Sequence, residues 1–350
     1  MSGHEAIESL LLQTSVLQSQ IDRAADINQA FIRPRQGFIA GEVQERLLRQ
    51  SGLRILTYDI GGDKCTQAEG VLQNGVFVVE STRVRNSNFG EGYFSFILQD
   101  MGRNDIDRVG FSVAGEVEGT KLKVNENLAR LITDLAAFDG DFAPLFTGKP
   151  IGVVNDANAI AQAGAMEAYS LYPQRPNVIA PIVGSGFGMA GIINGRVYES
   201  EQGHIKLSPE LNIFNQDKGC ERRGDVFVCA ENVAAGKAGI DDIARKLGLP
   251  ADGKQLAVLY EQGDERVIML YNLSALIVAL GVVGFAKALE ADPKTVTVVG
   301  HGGVFSAKMY PGLLEKYLYR LGFEAPLITT NSFRNPLAGN QGAAIAAALT

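Results

Sequence analysis

The chain has 350 residues, of which 46% are hydrophobic and 20% are charged, and its formal net charge is −7. This composition excludes disordered and fibrous proteins, and the length predicts two globular domains of ordinary size. The acidic excess gives no reason to expect a nucleic acid or a membrane as a partner. The three cysteines are too few for a disulfide scaffold, and no apolar run is long enough to span a membrane. Glu5 and Glu8 stand where a secretion signal needs positive charge, so a cytoplasmic protein is predicted.

Two helices are predicted in the first fifty residues. Apolar residues recur at steps of three and four over residues 5–30, which is typical of an amphipathic helix. A second, shorter helix is predicted over residues 41–50. Together they predict a helical extension over residues 1–52.

The rest of the chain repeats one pattern twice. Strands at 55–59 and 178–183 each run into glycines, and each is followed by a hairpin with an Asn-Gly turn, at Asn74-Gly75 and Asn194-Gly195. Each half then continues with helix, strand, helix and strand. This repetition predicts two α/β domains around a cleft, over residues 53–175 and 176–350. A glycine turn at 339–342 should precede a last helix over 343–349, which is a candidate to return to the first domain.

Three glycine-rich segments follow predicted strands. Glycine lets backbone N–H groups approach a phosphate without obstruction, although each segment alone could be only a tight turn. None matches the P-loop or the dinucleotide-binding fingerprint. The segments are Asp59-Ile-Gly61-Gly62-Asp63-Lys64, Gly184-Ser185-Gly186-Phe-Gly188 and Gly300-His-Gly302-Gly303.

Two polar motifs supply candidate catalytic and binding groups. In Asn155-Asp156-Ala-Asn158, Asp156 follows a strand and could act as a general base, or Asp156 or Asn158 could simply cap the next helix. Glu201-Gln-Gly-His204 pairs a carboxylate with an imidazole, which can hold neighbouring hydroxyl groups of a polyol.

In this order, the motifs resemble those of the ROK family of sugar kinases and repressors, in the actin-like ATPase superfamily. The first glycine segment is similar to the family's D-x-G-G-T-K, and the two polar motifs match N-D-A-N and E-x-G-H. The resemblance runs from about Arg54 to the end of the chain. It implies a duplicated actin-like (ribonuclease H-like) fold and ATP- and Mg²⁺-dependent phosphorylation of a hexose or N-acetylhexosamine hydroxyl, with Asp156 as the base.

The resemblance also implies which residues bind each substrate. The sugar contacts would be Asn127, Asn155, Glu201, His204 and Glu231. The ATP contacts would be Asp59, Gly61, Gly62, Asp63, Lys64, Gly184, Ser185, Gly186, Gly302 and Gly303. Among these, Asp59 and Asp63 are candidate Mg²⁺ ligands.

The chain departs from the family in its zinc segment. Lys218 stands where the first zinc-binding cysteine should be, and extra residues precede Cys229. His204, Cys220 and Cys229 then leave three candidate ligands for a structural site that normally has four. Zinc is therefore not expected, and protein contacts are expected to hold residues 207–228 instead.

The second departure is Asp63, which replaces the family's threonine. A carboxylate about 4 Å from a phosphate charge costs on the order of 4 kcal/mol at an effective dielectric constant of about 20, unless a cation offsets it. Asp63 therefore either helps to hold Mg²⁺ or weakens phosphate handling.

Two other functions remain open at this point. A sugar-binding pseudokinase is consistent with both departures. A sugar-responsive regulator is consistent with the family's repressors, but residues 1–50 carry five arginines against six acidic residues, and one long helix is not a helix-turn-helix. The identity of the sugar is open, and so is the formation of a homodimer.

Overall fold

A computed structural model describes Ser9 and residues 14–31, 33–87, 90–123, 128–200, 202–211, 219–220 and 228–350. The chain forms two compact units. The small unit comprises Gly37–Leu171 and Phe333–Thr350, and the large unit comprises Met1–Gln36 and Tyr172–Ser332.

Helices and strands alternate through both units. The strands are β1 (Arg33–Gly37), β2 (Arg54–Ile60), β3 (Lys64–Gln73), β4 (Val76–Asn86), β5 (Arg108–Val113), β6 (Val117–Glu118), β7 (Lys121–Leu122), β8 (Ile151–Asn155), β9 (Asn177–Val183), β10 (Phe187–Ile193), β11 (Arg196–Ser200), β12 (Val296–Gly300) and β13 (Leu327–Thr329). The α-helices are α1 (Thr14–Phe31), α2 (Ala40–Arg49), α3 (Tyr93–Leu98), α4 (Ala129–Leu135), α5 (Asp156–Leu171), α6 (Glu231–Ala234), α7 (Asp241–Lys246), α8 (Gly253–Glu261), α9 (Glu265–Ala288), α10 (Tyr310–Arg320) and α11 (Ala338–Leu349).

The two units contain the same sheet topology. The small unit has the order β4-β3-β2-β5-β8, and the large unit has β11-β10-β9-β12-β13 with β1 added beside β11. In the small unit, β2 pairs antiparallel with β3 and parallel with β5. In the large unit, β9 pairs antiparallel with β10 and parallel with β12. Asn74 and Asn194 have φ of 50° and 49°, and the glycine after each is also left-handed, as a tight hairpin turn requires. The predicted duplication is confirmed.

Helix α11 packs closely on the sheet of the small unit. A Cβ added at Gly110 would lie 2.1 Å from the Ala343 carbonyl oxygen, and one added at Gly152 would lie 2.3 Å from the Ala346 carbonyl carbon. Only glycines at these two strand positions allow the helix to come so near. The last element of the chain therefore completes the core of the small unit.

The predicted turn at residues 339–342 is wrong, because α11 already begins at Ala338. A Cβ at Gly339 would lie 2.4 Å from the Asp59 carboxylate, and one at Gly342 would lie 2.2 Å from the Ala159 carbonyl oxygen. These glycines serve close packing within a helix rather than a change of chain direction.

The first fifty residues differ from the single extension that the sequence predicted. Helix α1 belongs to the large unit, where Leu17 and Ile21 are buried, and α2 belongs to the small unit, where Val43 and Leu47 are buried. Each helix has an apolar face that is covered by its own unit. The division between the units also falls after Leu171 rather than after residue 175.

Helix α9 forms the centre of the large unit. Among the described residues it is the one helix long and apolar enough to cross a membrane, so the sequence expectation that no apolar run reaches that length is wrong, but 83% of its most apolar window is buried within the protein. That burial is typical of a core helix. The preceding helix α8 was absent from the sequence prediction, although the Asp252 carboxylate caps it by accepting from the N–H groups of Lys254 and Gln255.

Candidate functional site

The first glycine segment is the hairpin turn between β2 and β3 in the small unit. The Gly61 N–H donates to the Lys64 carbonyl oxygen at 2.9 Å, which closes the turn. The side chains of Asp63 and Lys64 are exposed at its tip. Since β2, β5 and β8 run parallel, the turn lies at the carboxyl edge of the sheet, where α/β proteins place their ligands.

Asp59 lies near the end of β2, close to this turn. Its Oδ1 accepts a hydrogen bond from the Ser112 hydroxyl at 2.8 Å. Burial raises the pKa of Asp59, whereas the Ser112 hydrogen bond and the positive charge of Lys64 lower it. The net effect is a raised pKa, so Asp59 is a fixed carboxyl group whose ionised form a bound cation would favour.

Asn155 and Asp156 lie at the carboxyl end of β8, where α5 begins. The Asn155 Oδ1 accepts from the N–H groups of Ala157 and Asn158 at 2.9 and 3.2 Å, and its Nδ2 donates to the Gly115 carbonyl oxygen at 2.9 Å. Asn155 therefore caps α5, although the sequence had suggested Asp156 or Asn158 for that role.

This capping arrangement changes the interpretation of the motif. The amide of Asn155 already binds three backbone groups of the small unit, so it shapes the loop whether or not it also contacts a sugar. Asp156 is the first residue of α5, is half-buried, and accepts from the Ala157 N–H at 2.8 Å. Asn127, the other predicted sugar contact of this unit, lies outside the described residues.

The second and third glycine segments lie side by side in the large unit. They follow β9 and β12, which are parallel neighbours, and the Val183 N–H donates to the His301 carbonyl oxygen at 2.8 Å. Gly302 has φ of +107°, and a Cβ there would lie 2.4 Å from the Val183 carbonyl oxygen. Added Cβ atoms at Gly184 and Gly303 would instead meet no described atom within 4 Å. The two segments thus form one backbone-lined surface with an open face.

Residues 236–240, which no sequence motif marks as part of the site, support the second glycine loop. The Gly236 N–H donates to the Gly184 carbonyl oxygen at 2.7 Å, and the Ala238 N–H donates to the Ser185 carbonyl oxygen at 3.4 Å. Residues Gly236–Ile240 form one turn of π-helix, a rare conformation that is frequent at functional sites. No local sequence pattern indicates this contact, because the two segments are about fifty residues apart.

Glu231 also supports the second loop. Its Oε2 accepts from the Phe187 N–H at 2.9 Å, and a Cβ at Gly186 or Gly203 would lie 2.8 or 3.3 Å from that same oxygen. This predicted sugar contact is therefore also a structural partner of the predicted phosphate loop. Glu201, which begins the E-x-G-H motif, lies outside the described residues.

The three candidate zinc ligands come together in the large unit. The ligand atoms of His204, Cys220 and Cys229 lie within 4.8 Å of one another, and the Cys220 Sγ is 3.4 Å from the His204 Nδ1. The Cys229 thiol donates to the Asn232 Oδ1 at 3.1 Å, and burial raises its pKa to about 12. Lys218 and most of residues 207–228 lie outside the described residues. The described donors thus provide three of the four ligands of a closed structural zinc site.

If His204, Cys220 and Cys229, the three donors in the described part of the chain, are the only ligands, zinc should be held weakly. We expect protein dialysed against EDTA to contain well below one equivalent of zinc and to keep its far-ultraviolet circular dichroism, because a structural ion normally depends on a fourth protein ligand. Elemental analysis and thermal melting, on protein purified without a histidine tag, measure both quantities. One equivalent that resists EDTA, with a fall of several degrees in Tm once it is stripped, would contradict this expectation.

Comparison with known proteins identifies the family. A model of the ROK family matches residues 59–349. The chain belongs to the ROK family. It is 26% identical over 269 residues to an N-acetyl-D-glucosamine kinase of Haemophilus influenzae (strain 86-028NP), and the alignment covers 69% of this chain and 82% of that protein.

Solved ROK structures share the fold. A ROK family glucokinase from Streptomyces griseus, in complex with glucose and AMPPNP, aligns with a TM-score of 0.59 and 21% identity over 85% of this chain and 100% of that one. A ROK family transcriptional regulator, a homologue of the E. coli MLC protein, aligns with a TM-score of 0.57 and 18% identity over 93% of this chain and 86% of that one. The predicted family and the duplicated actin-like fold are therefore confirmed.

Proposed function

We propose that this ROK protein is an ATP-dependent kinase of a hexose or an N-acetylhexosamine. The observation that carries the proposal is that the candidate residues lie at the ends of strands. The glycine segments follow β2, β9 and β12, and Asp156 follows β8. The carboxyl ends of parallel strands are where such folds bind ligands, and backbone N–H groups in glycine loops are suited to phosphates.

In the proposed reaction Asp156 takes the proton from a sugar hydroxyl. The hydroxyl oxygen then forms a bond to the γ-phosphorus of ATP, the bond from that phosphorus to the β,γ-bridging oxygen breaks, and ADP leaves. In the large unit, the glycine segments at 184–188 and 300–303 are the candidate phosphate contacts, and His204, Glu231 and Glu201 are the candidate sugar contacts. In the small unit, the segment at 59–64 is the candidate phosphate contact, and Asn155 and Asn127 are the candidate sugar contacts. Positioning and charge stabilisation account for most of the catalysis in phosphoryl transfer.

Mg²⁺ would neutralise charge on the phosphates when it is bound. Asp59 offers a half-buried carboxylate at the sheet edge, and Asp63 is exposed four residues later. Carboxylate oxygens are the ligands that Mg²⁺ prefers in proteins, so both residues fit the ion.

The test is ADP release with a panel of sugars. The identity to an N-acetyl-D-glucosamine kinase makes N-acetylglucosamine the first substrate to try, followed by N-acetylmannosamine, glucose and mannose. Each rate is compared with ATP hydrolysis in the absence of sugar. A panel in which no sugar raises ADP release above that background would contradict the proposed function.

A sugar-binding protein without kinase activity is the second candidate, and Asp63 is the observation that favours it. On the proposed function, the substitution Asp63→Thr should raise the Mg²⁺ concentration needed for half-maximal ADP release, because it removes one of the two carboxylates that fit the ion. ADP release at several Mg²⁺ concentrations measures this. An inactive wild type with an active Asp63→Thr variant would instead support the second candidate.

A further inference from the structure

The segment that follows His204 is extended and lies between two partners. Along one edge, the Leu207 N–H donates to the Val228 carbonyl oxygen at 3.0 Å, and the Ala230 N–H donates to the Ile205 carbonyl oxygen at 2.9 Å. Residues 205 and 207 therefore direct their backbone groups toward residues 228–230. In an extended chain the alternate residues, 206 and 208, face the opposite edge.

Gln20 of helix α1 occupies that opposite edge. Its Nε2 donates to the Lys206 carbonyl oxygen at 3.1 Å, and its Oε1 accepts from the Ser208 N–H at 3.0 Å. A single side-chain amide thus takes the place of a neighbouring strand. The Gln20 side chain is also enclosed, since the residue is only 2% exposed.

Helix α1 is firmly attached to the centre of the large unit. A Cβ at Gly284 of α9 would lie 2.3 Å from the Ala24 Cβ, so the backbone of α9 packs directly against the Ala24 side chain of α1. The Asp22 carboxylate accepts from the Lys287 ammonium group at 2.6 Å. Gln20 therefore extends from a rigid support rather than from a loose terminal helix.

Gln20 reaches the neighbourhood of two candidate sugar contacts. Ile205 directly follows His204, and Ala230 directly precedes Glu231, so the paired segments 205–208 and 228–230 each adjoin one of them. Gln202 of the E-x-G-H motif lines the same small cavity, of about 10 Å³, as Gln20. Helix α1 precedes residue 59, where the family match begins.

We propose that Gln20 is a positioning residue for sugar binding, which acts by holding residues 205–208 and, through them, His204 and Glu231. This inference rests on the proposed function for its kinetic consequence. Its structural premise, that Gln20 holds the segment, is independent of any activity.

The structural premise is tested by amide hydrogen exchange on the unliganded full chain. Gln20→Met keeps the size of the side chain but removes both hydrogen bonds to the segment. Exchange in residues 202–211 should rise roughly tenfold in this variant, as expected when a buried N–H loses its partner.

Gln18→Met is the matched control for the exchange measurement. It makes the same change on the same helix, but Gln18 is exposed and its amide donates to the Asp22 carboxylate at 2.8 Å rather than to the segment. Exchange in residues 202–211 should therefore be unchanged in Gln18→Met. Equal exchange in the two variants would overturn the inference.

The kinetic consequence is tested with the sugar that the wild type phosphorylates best. Gln20→Met should raise the KM for the sugar roughly tenfold while the KM for ATP stays within about twofold of wild type, a separation that a general loss of stability would not produce. Gln20→Asn, whose amide is one methylene too short to reach both backbone groups, should act in the same direction and serves if the first variant does not fold. Faster exchange with an unchanged KM for the sugar would overturn the positioning role. Should the wild type phosphorylate no sugar, the proposed function fails, and the exchange comparison still decides whether Gln20 holds the segment.

Discussion

Replacing Asp156 by asparagine should lower kcat for sugar phosphorylation roughly 10²- to 10⁴-fold and leave sugar affinity nearly unchanged, because the amide cannot accept the hydroxyl proton. In the structure, this substitution should leave the start of helix α5 intact. Asn155, rather than Asp156, caps helix α5, and an asparagine at 156 can still accept from the Ala157 N–H. Steady-state kinetics and calorimetric titration with the sugar measure the two quantities.

Asn155→Ala is the matched control for that experiment. It removes the cap of α5 and the bond to the Gly115 carbonyl oxygen, so it should lower the free energy of unfolding by about 1–2 kcal/mol. Asp156→Asn should not share this loss of stability. Near-normal turnover in Asp156→Asn, with an intact fold, would refute the role of Asp156 as the base.

Replacing Gly302 by alanine should both destabilise the large unit and abolish kinase activity. The new Cβ would lie 2.4 Å from the Val183 carbonyl oxygen, and the backbone φ of +107° is one that alanine rarely adopts. A clash against backbone together with this strain should cost about 3 kcal/mol or more, which corresponds to a fall in Tm of roughly 10 °C for a unit of this size. Thermal melting with and without nucleotide measures the effect.

Gly303→Ala separates folding from ligand binding at the same loop. A Cβ at Gly303 would meet no described atom within 4 Å, so the Tm without ligand should change by no more than about 1 °C. If the open face of this loop receives the nucleotide, the KM for ATP should rise roughly tenfold, because the methyl group would keep the phosphate or nucleoside from the backbone. An unchanged KM for ATP would show that this face does not bind ATP.

Several features of this protein follow from its sequence alone. Asn74-Gly75 and Asn194-Gly195 identify the two hairpins, because both central residues of such a turn must have positive φ and these residue types tolerate it. The alternation of helix and strand after each hairpin predicts the two sheets, and the order of the short motifs identifies the ROK family. All of these are local signals, in which a few neighbouring residues determine a backbone conformation.

Other features depend on residues that are distant in the chain. Gly339 and Gly342 resemble a turn in the sequence, but in the structure they lie inside α11, where the Asp59 carboxylate and the Ala159 carbonyl oxygen leave no room for a side chain. The sequence likewise could not assign the cap of α5 among three polar neighbours, since Asn155 is selected partly by its bond to Gly115, forty residues earlier.

The residues that hold the candidate site in position are identified only by the tertiary structure. Gly236 and Ala238 hold the loop at Gly184 and Ser185, and Gln20 holds a segment 186 residues later in the chain. A glycine, an alanine and a glutamine carry no local sign of such roles, because the pairing of their polar groups depends on which distant backbone groups the fold brings within hydrogen-bonding distance. The sequence therefore determined the candidate chemical groups and the strands they follow, and the packing within each unit determined which residues hold those groups in position.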